Sequence, residues 1–273
     1  MKLGLRALII ISLFQLPGCA NVFRGPSSKT SDEIYFEEAQ KAMDTSNWDL
    51  AITNFKSISP DFAARQDVIE AWAGTYAGKC GLDFIGYFTS LATASLAGST
   101  FFLYLMKAWN GKKIFPQYCT LAQKKMEEVS PNPLNRTAAE NLFMAVLGMV
   151  KIGVYIKANA DPTDTGAPAV TFDSCTSLPV ADNNEIVTGL GLVTSNLVYL
   201  TAALSAGSIS GALTSVNSAC GLSPGVCGKT DASTVTASDR KTIDAFLATS
   251  ATNPTAAIGI GSCANAAVIP CCP

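Results

Sequence analysis

Nine cysteines are the side chains of this 273-residue sequence with the widest range of possible chemistry. A cysteine thiol can form a disulfide, bind a metal ion, attack a substrate or carry a lipid. The sequence contains no histidine, the side chain that most often acts as general base and as nitrogen ligand of metals. The composition therefore excludes Ser-His-Asp and Cys-His catalysis and histidine-bound metals. We expect no catalytic residue and no metal site.

The first cysteine follows a segment typical of exported proteins. Lys2 and Arg6 form a basic start, and residues 7–16 are predominantly apolar. A run of this length is too short to span a membrane, but it matches the apolar core of a signal peptide. The run ends in Leu16-Pro17-Gly18-Cys19. We therefore predict a signal peptide over residues 1–18.

The Leu-x-Gly-Cys ending resembles the lipobox of bacterial lipoproteins. The resemblance implies that the Cys19 thiol receives a diacylglycerol, that the signal is cut before it and that the new amine is acylated. Two or more acyl chains hold a protein stably on a membrane, at ~0.8 kcal/mol per buried methylene. Ala20 stands where an aspartate would imply retention in the inner membrane, so the resemblance favours the outer membrane of a diderm bacterium, facing the periplasm or the cell surface. A chance Gly-Cys after an ordinary signal, or an uncleaved N-terminal helix, are the alternatives.

The other cysteines are even in number, which favours disulfides in an exported protein. Eight cysteines allow many connectivities, and we expect one bond between Cys80 and Cys119 and another between Cys220 and Cys227. The remaining four are expected to pair near the C-terminal tail. Zinc is the competing interpretation, but the sequence has no CxxC pair. The disulfide candidates are Cys80, Cys119, Cys175, Cys220, Cys227, Cys263, Cys271 and Cys272.

Composition narrows the possible partners. The chain is 48% hydrophobic and 15% charged, with a net charge of −2, so a substantial core is expected. No basic stripe interleaved with aromatics is present, and nucleic acid is not expected as a partner. Gly189-x-Gly191 lacks the preceding strand and third glycine of a nucleotide loop, so no cofactor is expected.

Residues 19–29 are mostly small and polar, which predicts a flexible tether between the lipid and the folded body. A helical hairpin is predicted directly after it. Thr30 and Glu33 form a capping-box pattern, after which Tyr35, Ala39 and Ala42 share one helix face. Ser46 is predicted to cap a second helix that ends at Ser59-Pro60. The inward side chains of that helix are expected to be Ala51, Phe55 and Ile58.

These two helices resemble a tetratricopeptide repeat over about residues 34–60. Ala39 is at the position where the two helices of the repeat approach each other closely, and Asn47 to Ile52 match the start of the repeat's second helix. An ordinary helical hairpin is the alternative. The resemblance implies that first-helix side chains bind a partner on a concave face. The candidate partner- or ligand-binding residues are Tyr35, Phe36, Trp72 and Tyr76.

Two long segments carry no charge, residues 84–106 and 186–228. They are interpreted as central buried helices, the first of them broken near residues 97–99. A membrane span is the alternative for residues 84–106, and an apolar cavity for a lipid or other hydrophobic solute is the alternative for both. Further helices are predicted over 67–79, 116–129, 137–158 and 186–204, and from Ser238. Thr137, Asp182 and Ser238 are the expected caps, and residues 159–181 the expected long loop.

The sequence thus predicts an all-α protein: antiparallel helical hairpins around apolar central helices, with disulfide-stapled loops and tail. Residues 30–273 are expected to form one domain, with a repeat-like part at 30–80 and an apolar part with a Cys-rich tail at 81–273. The predicted function is that of a non-enzymatic, outer-membrane-anchored module that binds an envelope protein or a small hydrophobic ligand. Its architecture resembles helical-repeat envelope lipoproteins, including those associated with tripartite periplasmic transporters. A structural or assembly lipoprotein without a small-molecule site is the alternative.

Overall fold

The computed structural model describes residues 30–93, 100–199, 214, 216–218, 220–221, 223–248 and 258–261. Every regular element within those residues is helical, and none of them is a strand. The predicted all-α class is therefore confirmed. The predicted signal peptide, Cys19 and the tether lie outside the described residues.

Four helices form the N-terminal part: α1 (Ser31–Asp44), α2 (Trp48–Lys56), α3 (Pro60–Ala63) and α4 (Gln66–Cys80). The capping box of Thr30 and Glu33 is present at the start of α1, as predicted. The predicted cap of α2 was wrong. Asn47 rather than Ser46 accepts a hydrogen bond from Leu50 N, while Ser46 adopts a left-handed φ of 56° in the turn. Helix α2 ends at Lys56, earlier than the predicted stop at Ser59-Pro60. Pro60 instead starts α3, at a position where its missing N–H is not needed.

The N-terminal helices enclose a small hydrophobic core of Ala39, Phe55, Ile58 and Val68. Phe36, rather than Tyr35, contributes the aromatic ring that α1 packs against this core. Tyr35 lies on the outer side of the helix and is 38% exposed. The prediction that Tyr35 shares the face of Ala39 and Ala42 was therefore wrong, because the two alanines are buried and the tyrosine is not.

The middle of the chain forms α5 (Phe84–Thr93), α6 (Phe101–Lys107), α7 (Pro116–Glu127) and α8 (Ala138–Ala160). The charge-free segment 84–106 thus contributes two helices, and the junction at 94–99 lies outside the described residues. A capping box of Thr137 and Glu140 opens α8, as predicted. Among the described helices, α8 is long and apolar enough to cross a membrane, and 83% of its most apolar window is buried inside the protein.

The C-terminal part contains α9 (Val180–Ser195), α10 (Pro224–Cys227) and α11 (Ala237–Ala248). Two predicted caps were wrong here. Helix α9 begins at Val180 directly after Pro179, which places Asp182 in its first turn. At the start of α11 the Thr236 hydroxyl, rather than Ser238, accepts from Asp239 N, and the Asp239 carboxylate accepts from Thr236 N.

Helices α8 and α9 cross at their glycines and form the centre of the main hydrophobic core. A Cβ atom added to Gly148 would lie 2.7 Å from the carbonyl oxygen of Gly189, and one added to Gly189 would lie 3.0 Å from that of Gly148. Real Cβ atoms seldom approach a backbone that closely. Small residues are therefore required at this crossing.

Two disulfides are present where they were predicted. Cys80 on α4 is bonded to Cys119 on α7 with a Cα–Cα distance of 5.2 Å, and Cys220 is bonded to Cys227 with 5.6 Å. Cys175, in the loop between α8 and α9, is also disulfide-bonded. Its partner, and the tail cysteines Cys263, Cys271 and Cys272, lie outside the described residues.

Candidate functional site

Three of the four aromatic residues predicted to bind a partner belong to one continuous row of rings. Phe36 on α1 contacts Phe55 on α2, with ring centroids 6.1 Å apart, and Phe55 stacks on Trp72 of α4 at 5.4 Å. Tyr76 follows Trp72 at 6.1 Å and contacts Tyr118 of α7 at 6.0 Å. The row therefore leads from the small core to the main one, and its side chains, of which Phe55 is fully buried and the others half-buried, contribute to packing.

Tyr35 stands apart from this row. It lies on the outer face of α1 beside Ile34, which is 48% exposed. Leu50 of α2 is likewise 48% exposed. The outer surface of the N-terminal hairpin thus presents apolar side chains to solvent, whereas the row of rings behind it is mostly covered.

A polar cleft lies where α7, α8 and α9 meet the loop at residues 230–233. Its volume is about 180 Å³. Helix α7 supplies the four side chains along one wall, α8 and α9 each supply one charged side chain, and the loop closes the remaining side. The lining residues are Thr120, Gln123, Lys124, Glu127, Lys151, Glu185, Thr230, Asp231, Ala232 and Ser233.

Lys151 of α8 forms the floor of the polar cleft and is 1% exposed. Its ammonium donates to Gln123 Oε1 at 2.6 Å and to Thr188 Oγ1 at 2.7 Å, and it forms an ion pair with Glu185 of α9. Burial lowers the pKa of Lys151, and the carboxylate of Glu185 opposes that shift. With all three ammonium protons directed at oxygen atoms, the charged form is well satisfied.

Gln123 connects the floor to the walls of the cleft. Its Nε2 donates to Glu127 Oε1 at 2.8 Å and to the main-chain oxygen of Thr230 at 2.7 Å. Together with the bond from Lys151, these contacts fix the orientation of the amide. Nearby, the hydroxyls of Tyr155 and Thr120 lie 3.1 Å apart. Burial raises the pKa of Tyr155 to about 12, so this phenol does not act as a base near neutral pH.

Sequence reasoning missed the polar cleft, although one signal was present. Lys151 lies between Val150 and Ile152 in the otherwise apolar stretch of residues 142–154, and a lysine on a buried face must find hydrogen-bond acceptors. Its partners could not be identified, because Gln123 and Glu185 belong to other helices. The side chains that line the cleft include none from segments 84–106 and 186–228, which were the predicted lining of an apolar cavity.

No group of three or more histidine, cysteine, aspartate or glutamate side chains able to hold a metal ion occurs in the described ranges. Asp161 and Asp164 come close together after α8, but the Lys157 ammonium lies between them, 2.6 Å from Asp161 Oδ2 and 2.5 Å from Asp164 Oδ1. Asp161 also accepts from Thr165 N and Gly166 N. A lysine therefore supplies the positive charge that this turn requires.

A second buried polar pair joins α9 to α11. Asp244 is 7% exposed, and its Oδ1 accepts from Asn183 Nδ2 at 2.6 Å. Burial raises the pKa of Asp244 to about 6; Asp173 adds to this rise, while the hydrogen bond from Asn183 and the charge of Arg240 oppose it. The Oδ1 atom of Asn183 finds no hydrogen-bond partner in the described part of the chain.

Replacement of Asp244 by asparagine is expected to raise the free energy of unfolding by about 2 kcal/mol near neutral pH. The variant removes a buried charge, and its new amide can donate to the unpaired Asn183 Oδ1. Asp244 binds its proton more tightly in the folded protein than in the unfolded chain, where an aspartate has its ordinary pKa of 3.8. The loss of folding stability caused by the charged Asp244 carboxylate is therefore complete above about pH 6, and it decreases as the pH drops toward about 4.

Urea denaturation of both proteins at about pH 7.5 and at about pH 4 measures this effect. The advantage of Asp244→Asn should be largest at the higher pH and should nearly vanish at the lower one. Asp61→Asn, at an exposed position on α3, is the matched control and should change stability by less than about 0.5 kcal/mol. An equal gain at both pH values would contradict the assigned titration of Asp244.

Comparison of the chain with protein families, with curated proteins and with solved structures finds no match.

Proposed function

We propose that this protein is a lipid-anchored bacterial envelope protein whose helical body is a non-enzymatic binding module. The observation that carries the proposal is the oxidised state of the cysteines. All five cysteines within the described residues are disulfide-bonded, as is typical of proteins folded outside the cytosol. Export agrees with the signal-like residues 1–18 and their lipobox-like ending at Cys19.

The proposed activity is recognition rather than catalysis. The sequence contains no histidine, and the buried Lys151 at the floor of the polar cleft is paired with Glu185 in a manner that suits a fixed structure. The outer face of the N-terminal hairpin, with Ile34, Tyr35 and Leu50, is the proposed contact surface for an envelope protein partner. A small hydrophobic molecule bound by the charge-free segments is the other ligand class within this proposal.

Cys19→Ala is expected to abolish lipid attachment, because alanine has no thiol to accept the diacylglycerol. Cells of a Gram-negative host grown with labelled palmitate should incorporate label into the wild-type protein and none into the variant. The wild type should sediment with membranes, and the variant should be released in soluble form.

Cys271→Ala is the control, since it removes a tail cysteine and leaves Cys19 in place; it should keep the label. Label on the Cys19→Ala protein would show that the lipid is attached elsewhere. Membrane retention without label would mean that another segment holds the chain, and either result would refute the proposed anchor.

Native mass spectrometry of the full chain, released from membranes in detergent, distinguishes the binding module from a purely structural lipoprotein. A co-purifying protein that is lost in a Tyr35→Asp variant supports recognition through the N-terminal hairpin. A mass equal to that of the lipidated chain alone favours the structural alternative.

A further inference from the structure

We propose that the polar cleft between α7, α8 and α9 binds a small zwitterion of the α-amino-acid type. This inference goes beyond the proposed function, because it assigns a ligand class to a site that lies apart from the N-terminal hairpin. It does not depend on the lipid anchor. Three properties of the cleft support it: carboxylate oxygens without a hydrogen bond, an exposed lysine without an ion pair to any described residue, and a rigid polar floor.

The carboxylates can receive a ligand's ammonium group. Glu185 uses Oε2 for Lys151 and Thr188, and Glu127 uses Oε1 for Gln123. The second oxygen of each side chain makes no hydrogen bond within the described ranges. Both residues line the cleft, so acceptors for a primary ammonium are available on the α7 wall and on the α9 wall.

Lys124 can receive the ligand's carboxylate. It is exposed on the same wall as Gln123 and forms no ion pair with any described residue. The hydroxyls of Thr120 and Thr230 lie along the same cleft. The Thr230 hydroxyl can donate to a carboxylate oxygen, and so can that of Thr120 when Tyr155 donates the proton of their shared hydrogen bond. The Asp231 carboxylate accepts from Ser233 N at 2.9 Å and from Ser233 Oγ at 2.8 Å, and these bonds together with the charge of Lys124 lower its pKa.

The floor of the cleft is organised before any ligand arrives. Lys151 is held by three oxygen acceptors, and the amide of Gln123 is held by Lys151, Glu127 and Thr230. Polar groups that are already fixed cost little entropy on binding. A volume of about 180 Å³ suits a molecule of amino-acid size. An apolar molecule is disfavoured, because it would displace water from the charged side chains and offer them no hydrogen bonds in exchange.

Isothermal titration calorimetry on the full chain in detergent tests this inference with glycine, L-alanine, L-glutamate and L-lysine, each alone. At least one should bind saturably. Propionate and ethylamine, which carry only one of the two charges, should bind at least about tenfold more weakly, because each loses one charge-assisted hydrogen-bonding group.

Lys124→Ala should weaken binding of the same amino acid by at least about tenfold, and so should Glu185→Gln. Lys124 is exposed, so its variant tests the proposal even if loss of the Lys151 ion pair prevents Glu185→Gln from folding. Lys56→Ala, at an exposed site on α2, should bind like the wild type.

The inference is overturned if none of the four amino acids binds with a dissociation constant below about 10 mM, or if Lys124→Ala leaves the affinity unchanged. The Cys19→Ala protein should give the same titration as the wild type. Failure of the anchor and failure of the cleft would therefore be seen in separate experiments.

Discussion

Replacing both Cys80 and Cys119 by alanine is expected to lower the free energy of unfolding by about 4 kcal/mol. Their disulfide joins α4 to α7 across a sequence separation of 39 residues, and its loss lets the unfolded chain explore many more conformations. Both side chains are fully buried, so the smaller alanines also leave unfilled space in the main core. Urea denaturation of the full chain, followed by far-ultraviolet circular dichroism, measures the change.

The double variant of Cys220 and Cys227 is the matched control. Its disulfide closes a loop with a sequence separation of only 7, and the same entropy argument gives about 2.5 kcal/mol. The difference between the two double variants isolates the effect of loop length from the effect of removing a disulfide. Equal losses in both would mean that the α4–α7 bond adds nothing specific to the fold.

Gly148→Ala is expected to lower the free energy of unfolding by about 3 kcal/mol. The new methyl group would lie 2.7 Å from the Gly189 carbonyl oxygen and 2.9 Å from Leu192 Cβ. Neither contact is with the flexible end of a side chain, so α8 and α9 would have to move apart. That movement would loosen the packing at the centre of the main core. Thermal and urea denaturation of the variant measure the loss.

Gly74→Ala on α4 is the same chemical change at a helix position with free space. Its nearest neighbour would be Met43 Cε at 3.8 Å, an ordinary van der Waals contact. Alanine should therefore stabilise the protein by about 0.5–1 kcal/mol, because it restricts the unfolded chain and favours the helix. The two glycine variants should thus change stability in opposite directions, and a gain in stability from Gly148→Ala would disprove the close crossing.

Local sequence patterns predicted a helix start correctly where the capping residue and the residue three positions later exchange side chain–backbone hydrogen bonds. The capping boxes of Thr30 and Thr137 were correct for this reason. Ser46, Asp182 and Ser238 were predicted by the same kind of pattern and were wrong. The observed start is one position later for Ser46, at Asn47, three positions earlier for Asp182, at Pro179, and two positions earlier for Ser238, at Thr236. A short pattern does not choose between neighbouring capping positions.

The aromatic residues show what hydrophobic periodicity leaves undecided. Tyr35 and Phe36 are adjacent on α1, and both are plausible members of the stripe that contains Ala39. Packing against Phe55 and Phe62 selected Phe36, and the tyrosine was left at the surface with its hydroxyl in reach of water. Which of the two rings faces the core depends on where α2 and α3 lie, and the sequence of α1 carries no information on that.

By itself, the sequence determined the all-α class, most of the helices and the even set of cysteines, because these follow from local hydrogen bonding, side-chain periodicity and composition. The pairing of four cysteines was an expectation that the structure confirmed, since the sequence allows many connectivities. Only the tertiary structure decided which side chains meet to form the polar cleft. Gln123 and Thr230 are 107 residues apart in the chain, yet their hydrogen bond is 2.7 Å long. A buried ammonium such as that of Lys151 requires acceptors from several elements at once, and that requirement is met only when α7, α8 and α9 have packed.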